Sequence, residues 1–389
     1  MTNHYCVGMD VHQRTTSLCL MDGEGTVVRE WKIRTAPKEL DEVHRELKRQ
    51  CGEAPVTLGL EASAAGSAVS RHFRRMGLDV VMAHPKAQWV VPISGTKTDR
   101  NDARALAHLL RLNFFPRACV PEEPIERLHT LVRLREERVD KLGRTKNQVR
   151  AFLVKHHLQH ESLRYTDIFG VQALHWRKGV ELEDPSAQHQ LILLLEEGAL
   201  YIRQVEDLWR ELAKAGVKDR TVAVLQSIPG IDYVLALTIL AEVGDEQRFA
   251  NRRTFAAYCG LVPRNRDSGE QIGRHSELRN GSSRLKWALI VAVQSIRKRG
   301  KGRFALLLKR LEKRLGTPKA LAAVAHRLAF TVYGLWKTNT LYDEVSAGLY
   351  AFKRRRLRRR AAEAPTRPRI AAAVERMLKA SGASGVAAG

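Results

Sequence analysis

Length, composition and charge narrow the protein class first. The chain has 389 residues, and 66 lysines and arginines against 42 acidic residues give it a formal net charge of +24. Such an excess repels itself unless a polyanion neutralises it, so DNA or RNA is the predicted partner. A ribosome-like or merely soluble basic protein is the alternative.

Apolar runs and cysteines argue against three further classes. No apolar run approaches the roughly 20 residues that span a bilayer. The five cysteines form no C-x-x-C pair, which disfavours a zinc site and a disulfide framework. We therefore expect a bacterial or archaeal cytoplasmic protein without membrane contact, nucleoid-associated when active.

The first 120 residues have an α/β pattern. Residues 7–20 predict one strand, residues 22–25 a turn, and residues 26–33 the second strand of a hairpin. Helices and strands then alternate over residues 37–51, 56–60, 65–76, 78–83 and 99–110. A hairpin followed by such alternation predicts a mixed sheet with flanking helices in residues 1–120.

Residues 121–217 are predicted to form two long helices. Residues 122–158 and 191–215 keep a helical spacing of apolar residues among many charges, with an irregular stretch at 164–188 between them. We expect an antiparallel, coiled-coil-like arm or a dimerisation element. For most of the charges, a solvated helix face is the accepted interpretation.

Residues 218–342 are predicted to be mainly helical. Two helical segments flank Pro229-Gly230-Ile231, which resembles the turn of a helix-hairpin-helix module that grips phosphate; a plain helical hairpin fits equally well. A polar loop is expected at 264–284, with helices at 284–297 and 318–337. Residues 343–389 contain a dense basic run at 353–360 and predict a flexible tail that contacts polyanion backbones.

Four carboxylates lie at positions that suit a metal site. Asp10 and Glu61 end apolar strands, and Asp99 and Asp102 lie one helical turn apart. Carboxylate oxygens suit Mg²⁺, and two such ions can stabilise the attacking and leaving oxygens of a phosphodiester displacement. The alternative is that strand-end acids are simply common and that Asp99 caps its helix.

These residues resemble a known family. Asp10 in VGMDVH, Glu61 in GLEAS and the KTDRNDAR motif of Asp99 and Asp102 are similar to the DEDD site of insertion-sequence transposases with an RNase H/RuvC-like N-terminal domain. Residues 225–230 and 255–263 and the RDSG motif at 266–269 resemble that family's C-terminal transposase domain, that of a bridge-RNA-guided recombinase. The resemblance covers about residues 5–340.

The resemblance implies a specific mechanism. The four acids would bind Mg²⁺, and Ser268 would be the nucleophile that joins DNA covalently. From the residues alone, Ser268 and the neighbouring serines form a polar loop. Further candidates for nucleic-acid contact are five basic residues: Arg264, Arg266, Arg274, Lys97 and Arg100.

The resemblance also implies partners. A noncoding guide RNA would pair with double-stranded donor and target DNA, and the protein would assemble as a homo-oligomer, from dimer to tetramer. Two other functions stay open. One is a Holliday-junction-type or RNase H-like nuclease that uses the four carboxylates alone, and the other is a non-catalytic nucleic-acid-binding scaffold.

Overall fold

The computed structural model describes most of the chain, namely residues 4–83, 98–118, 121–162, 164–177, 179–180, 182–264, 277–278, 281–344 and 346–363. The chain divides into two compact units, residues 1–121 and 122–389, which we call the sheet unit and the helical unit. Among the described helices, none is long and apolar enough to cross a membrane.

The sheet unit is built on one mixed sheet. Its described elements are β1 (Tyr5–Val11), β2 (Thr15–Met21), β3 (Val27–Arg34), α1 (Pro37–Cys51), β4 (Val56–Glu61), α2 (Ala64–Arg75), β5 (Asp79–Ala83), α3 (Asp99–Arg111) and β6 (Arg117–Ala118). The strand order is β3-β2-β1-β4-β5-β6. The pairs β1–β4 and β4–β5 are parallel and the others antiparallel. The predicted mixed sheet with flanking helices is confirmed.

The N-terminal hairpin differs from its prediction. Residues 7–20 form two antiparallel strands, β1 and β2, rather than one. The turn is His12-Gln13-Arg14, closed by a hydrogen bond from His12 N to Thr15 O of 3.0 Å. These three polar residues are exposed, whereas the strands on either side are buried, because a turn leaves the sheet and its side chains meet water.

The two faces of the sheet have separate cores. On one face, alternate residues of β1, β2 and β4 pack under α1 and α2 in a cluster that includes Val7, Met9 and Leu58. On the other face, α3 packs against Cys19 and Met21. Because successive side chains of a strand point to opposite faces, the residues between those of the first core all point towards α3.

The helical unit contains the remaining elements. Its described elements are α4 (Glu123–Lys155), α5 (Gln159–Ser162), α6 (Val171–Arg177), α7 (Pro185–Gly216), α8 (Arg220–Ser227), α9 (Tyr233–Val243), α10 (Arg252–Tyr258), β7 (Pro263–Arg264), β8 (Glu277–Leu278), α11 (Ser283–Arg299), α12 (Arg303–Leu315), α13 (Thr317–Thr338) and α14 (Ala347–Ala362). The mostly helical character predicted for this part is confirmed. Five of the described helices are not among those that the sequence pattern predicts, namely α5, α6, α10, α12 and α14.

The two long helices, α4 and α7, pack antiparallel. The end of α4 shares a core with the start of α7 through Phe152 and Leu191. The start of α4 shares a second core with the end of α7 through Leu128 and Leu212. The second core continues into α8–α13, so the base of the helix pair belongs to the main core of this unit.

The hairpin between α8 and α9 is part of this core. Gly230 has φ +81° and is buried, and a Cβ there would lie 2.2 Å from the carbonyl oxygen of Ala292 in α11. Only glycine fits this close approach. Asp232 caps α9 by accepting a hydrogen bond of 3.0 Å from Leu235 N. The turn therefore packs against α11, and the backbone amide of Leu235 in the first turn of α9 is bonded to Asp232.

The basic run also differs from its prediction. The composition predicts a flexible tail over residues 343–389, but residues 347–362 form α14, in which Lys353 and Leu357 are buried. The apolar Leu357 and the hydrogen bonds of Lys353 hold this helix against the unit in spite of its charge repulsion. Residues 364–389 lie outside the described part.

Candidate metal centre and nucleic-acid site

A glycine in β1 sets the position of α3. A Cβ at Gly8 would lie 1.9 Å from the carbonyl oxygen of Ala103 and 2.4 Å from the backbone nitrogen of Ala107. With hydrogen in place of a side chain, α3 lies directly on the strand. Gly59, which pairs with Gly8 in β4, leaves room for Leu110 in the same way. This close approach brings the start of α3 beside the end of β1.

Asp99 and Asp102 lie in the first turn of α3. The N-cap is Thr98, whose side chain accepts a hydrogen bond from Asn101 N, so the alternative in which Asp99 caps the helix is wrong. Both carboxylates sit at the positive end of the helix dipole, which favours negative charge. Their spacing of three residues places them on one side of the helix.

Asp10 and Glu61 lie on the sheet face that α3 covers. The parallel register pairs Gly8 with Gly59 and Met9 with Leu60, so the next position places Asp10 beside Glu61. Met9 and Leu60 belong to the core on the opposite face, which leaves the two acids pointing towards α3. The structure thus brings all four sequence-predicted carboxylates to one end of α3.

The electrostatics of Asp10 reflect this proximity. Burial raises the pKa of Asp10; the positive charge of His12 opposes this, and the negative charges of Asp99, Asp102 and Glu61 raise the pKa further. Asp10 itself is only 9% exposed. Four acids that repel one another across a half-buried site favour any cation placed among them.

Two basic residues at this site were missed by the sequence interpretation. His12 Nε2 lies 3.1 Å from Asp10 Oδ2 and 3.6 Å from Asp99 Oδ1. Lys32 Nζ donates a hydrogen bond of 2.8 Å to Asp99 Oδ2. That hydrogen bond lowers the pKa of Asp99, and the charges of Lys32 and His12 act in the same direction.

Strand register supplies the signal that could have found both residues. His12 follows Asp10 by two positions, the spacing of one sheet face. In the antiparallel pairs, Asp10 lies opposite Ser17 and Ser17 lies opposite Lys32, so the three form a row across β1, β2 and β3. Treating residues 7–20 as one strand conceals this row.

The donor set fits a divalent cation. One ligand atom from each of Asp10, His12 and Asp99 lies within 4.8 Å of the others. Carboxylates suit hard cations such as Mg²⁺, whereas an imidazole nitrogen is preferred by softer transition metals. A site of carboxylates with one imidazole in reach therefore fits a divalent cation.

A cavity of about 670 Å³ lies beside the acids. Lys32, Asp99 and Arg100 are among its lining residues. Arg100, a predicted nucleic-acid contact, forms an ion pair with Glu30, which also accepts a hydrogen bond of 2.8 Å from Arg104. The Arg100 side chain is still 71% exposed. The other predicted contact in this motif, Lys97, lies outside the described residues.

Comparison with known proteins identifies the family. A model of the DEDD transposase domain of IS110 elements, described as a transposase, matches residues 7–158. A second model, described as the transposase family of IS116, IS110 and IS902, matches residues 222–307. The chain belongs to the IS110/IS116 transposase family.

Individual members of the family align over much of this transposase. The transposase for insertion sequence element IS1111A of Coxiella burnetii is 25% identical over 345 residues, 86% of this chain and 90% of the relative. The y4qE protein of Sinorhizobium fredii, named as a transposase, is 30% identical over 230 residues, 59% of this chain and 56% of the relative. The transposase for IS1533 of Leptospira borgpetersenii is 24% identical over 258 residues, 64% of this chain and 72% of the relative.

The serine motif of this transposase falls largely outside the described residues. Ser268, Arg266 and Arg274 lie there, so the structure does not place them relative to the acids. Arg264 ends the short strand β7, which pairs with β8. Ser282, just before α11, caps that helix by accepting from Leu285 N.

A second polar cluster, around Glu242, was also missed. Glu242 lies in α9 with its side chain 8% exposed, and Ser282 Oγ donates it a hydrogen bond of 3.0 Å. His129, Arg133 and Arg284 approach within 3.3, 3.8 and 3.9 Å. Burial alone would raise the pKa of Glu242, but hydrogen bonds from His129 and Ser282 and the nearby positive charges lower it overall. Only tertiary contacts between α4, α9 and α11 bring these residues together.

Proposed function

We propose that this transposase moves an insertion sequence by cutting and rejoining DNA strands. The observation that carries the proposal is the convergence of Asp10, Glu61, Asp99 and Asp102 at one end of α3, where each of the other three raises the pKa of Asp10 by its charge. The net charge of +24 supports a polyanionic substrate.

The four acids would hold Mg²⁺. When bound, the metal would polarise a phosphodiester and stabilise the negative charge that develops on its oxygens. The protein's own contribution is to hold the four carboxylates in position. The Gly8 contact sets the distance from sheet to helix, and Thr98 fixes the first turn of α3.

Lys32 and His12 would control the protonation and orientation of Asp10 and Asp99. The ammonium of Lys32 keeps Asp99 ionised, because its hydrogen bond lowers the pKa of that carboxyl. His12 lies within 3.6 Å of both Asp10 and Asp99, where it can orient them or transfer a proton. Both residues would set the charge and orientation of the carboxylates that hold the metal, and neither would recognise DNA bases.

Ser268 would be the nucleophile. Its Oγ forms a bond to phosphorus while the bond from phosphorus to one deoxyribose oxygen breaks, and the hydroxyl proton of the serine ends on that leaving oxygen. The number of phosphoester bonds is unchanged, so the serine–phosphate ester conserves the energy needed to rejoin strands. Arg264, Arg266 and Arg274 surround Ser268 in sequence and would neutralise the pentavalent phosphate, with Lys97 and Arg100 as contacts near the acids.

An RNA would recognise the DNA sequences to be joined. A noncoding guide RNA that pairs with donor and target DNA would allow the protein to bind backbones and shape alone. The synapse would be a homo-oligomer, up to a tetramer. The antiparallel α4–α7 pair offers an element for such assembly.

Strand exchange in a reconstituted system tests this function. Wild-type protein, element-end DNA, target DNA and the transcribed noncoding flank are expected to give recombinant DNA and a protein–DNA adduct on a denaturing gel. Ser268→Ala is expected to abolish both, and Asp10→Asn is expected to slow recombination by about 10³-fold. Recombination by Ser268→Ala would overturn the nucleophile, and full activity of Asp10→Asn would overturn the metal site.

A second candidate is a nuclease that uses the acid cluster alone. It is favoured by His12, whose Nε2 lies 3.1 Å from Asp10, a position from which an imidazole can activate water. This candidate predicts cut DNA with free ends, no covalent adduct and unchanged cleavage by Ser268→Ala. The same gel distinguishes the two functions.

A further inference from the structure

The basic helix α14 lies outside both family regions. The matched residues end at 158 and at 307, whereas α14 covers Ala347–Ala362. It carries seven cations, all between positions 353 and 360, and no acid. Neighbouring like charges on a helix destabilise it, so a stable α14 needs contacts that hold it in place.

Two buried side chains attach α14 to the rest of the helical unit, Leu357 through the main core and Lys353 through the end of α8. Leu357 is fully buried and Lys353 is 8% exposed. Lys353 Nζ donates hydrogen bonds of 2.7 Å to Gln226 O and 2.9 Å to Ile228 O. These carbonyls end α8, where the negative end of the helix dipole favours a cation.

A third contact fixes the direction of the helix. Arg354 donates 3.0 Å and 2.9 Å hydrogen bonds to Gln226 Oε1 and Val217 O. Together with Lys353 and Leu357, it uses one side of α14 for attachment. The opposite side is thereby held facing solvent in a defined orientation.

Three exposed arginines of α14 pair with no carboxylate of the described residues. They are Arg355 and Arg358 on the outward side and Arg356 beside the attached Lys353. The acid nearest to the run, Glu363, pairs instead with Arg359 and Arg360. Phe352 is the one large apolar side chain exposed on this helix, so the surface lacks the apolar centre of a protein–protein interface.

The positive surface continues onto α11. Arg299, in the last turn of α11, lines a cavity of about 240 Å³ together with Lys353 and Arg356. Asp232, which caps α9, is the only acid lining it among the described residues. Lys298 and Arg299 are exposed, so cations of two helices lie around one opening.

We propose that α14 and the end of α11 form a second DNA-binding surface, which grips the phosphate backbone of duplex DNA outside the acid site. Guanidinium groups bind phosphate oxygens in bidentate pairs, and a docked helix presents them without the ordering cost of a free tail. Duplex DNA is the occupant because it is the substrate in the proposed function, on which this inference rests.

Salt-dependent DNA binding by the full-length protein tests the surface. The variant replaces Arg355, Arg356 and Arg358 with glutamine, which keeps the helix because glutamine is a good helix former. Each phosphate contact contributes about 0.9 to the slope of log K against log salt concentration, where K is the DNA-binding constant. The loss of three contacts should therefore make this slope shallower by about 2.7. The expected result is weaker binding of a short duplex at physiological salt with this shallower slope.

A charge-matched variant serves as the control. Arg310, Lys313 and Arg314 on α12 are also exposed and unpaired among the described residues, and their replacement with glutamine removes the same three charges. This variant should keep the wild-type slope, and circular dichroism should show all three proteins folded. The same change of slope in both variants, or in neither, would overturn the α14 surface.

Three outcomes separate this inference from the proposed function. If α14 served RNA, the α14 variant would lose affinity for an RNA of the same length and keep its affinity for DNA, which would overturn the proposal. Wild-type protein that binds neither DNA nor RNA would contradict the proposed function as well. Wild-type binding with an unaffected α14 variant would overturn the surface alone.

Discussion

Two buried carboxylates of this transposase lie in opposite surroundings. Asp10 in the sheet unit is raised in pKa by burial and by three neighbouring acids. Glu242 in the helical unit lies among His129, Arg133 and Arg284 and has a lowered pKa in spite of burial. Among the described residues, His12 offsets the acidic neighbours of the first carboxylate, whereas three cationic side chains surround the second.

This difference is the one expected between a ligand-binding site and a structural contact. A cluster of like charges is costly unless a ligand neutralises it, so such clusters persist where a ligand is used. A compensated buried acid holds elements together and needs no ligand. Asp10 should therefore be indispensable for activity and dispensable for folding, and Glu242 the reverse.

The largest expected effect is on catalysis by Asp10→Asn. Loss of the proposed metal ligand should lower the strand-exchange rate by about 10³-fold, because bound metal supplies several kcal/mol of transition-state stabilisation. The variant should unfold at the same temperature as wild type or higher, since a buried repulsion is removed. Strand-exchange assays and thermal unfolding measure the two effects. A variant that loses activity only because it unfolds would contradict the comparison.

Next in size is the loss of stability in Glu242→Gln. Removing one partner of a buried ionic network leaves cations unpaired and should lower the free energy of unfolding by about 3–5 kcal/mol. Denaturant unfolding measures it. The exposed pair Lys214–Glu211 supplies the control, because Glu211→Gln should change stability by less than about 1 kcal/mol. Equal unfolding curves for Glu242→Gln and wild type would refute a structural role.

Metal binding should distinguish the two sites more finely. Mg²⁺ at about 100 times its dissociation constant should stabilise wild type by about 2.7 kcal/mol. The same addition should not stabilise Asp10→Asn, while Glu242→Gln should keep the full stabilisation from its lower starting point. Thermal unfolding with and without a chelator measures this. Stabilisation of Asp10→Asn equal to that of wild type would place the metal elsewhere.

The smallest effect is on the pH dependence of stability, to which Asp10 and Glu242 should contribute with opposite signs. Because the pKa of Asp10 is raised on folding, its contribution to stability is present at low pH and is lost as pH rises through the folded pKa. Because the pKa of Glu242 is lowered, its contribution is present above the unfolded pKa and is lost as pH falls through the folded one. A tenfold change in an acid dissociation constant on folding corresponds to about 1.4 kcal/mol.

Unfolding at several pH values measures these contributions. From acid to neutral pH, Asp10→Asn should gain stability relative to wild type. Glu242→Gln should lose it over the same interval. Differences that run in the same direction for both variants would contradict the assigned surroundings.

Much of the sheet unit could be predicted from the sequence. Alternating apolar residues and turn signals locate the strands and place Asp10 and Glu61 at or next to strand ends. That the two acids lie side by side depends on the pairing of β1 with β4. Helix α3 and the pair Asp99 and Asp102 follow from spacing. These predictions depend on residues close in the chain, where local propensity and tertiary structure agree.

What the sequence could not supply depends on distant contacts. Lys32 reaches Asp99 only through the register of three strands, and a missed turn at residues 12–14 hid that register. Glu242 is surrounded by residues of α4 and α11, which are distant from it in the chain, so no local pattern marks it. The arginine run at 353–360 predicts a mobile segment by composition, and only the buried Lys353 and Leu357 make it a docked helix.

The hydrogen atom that stands in place of a side chain at Gly8 makes the acid site sensitive to a change that touches none of its ligands. A methyl group there would displace Ala103, and with it the whole of α3, while every carboxylate stayed intact. The distance between the sheet acids and the helix acids is thus set by how closely α3 packs on β1. Protein engineers could tune or disable the site by changing this packing distance, without altering any carboxylate.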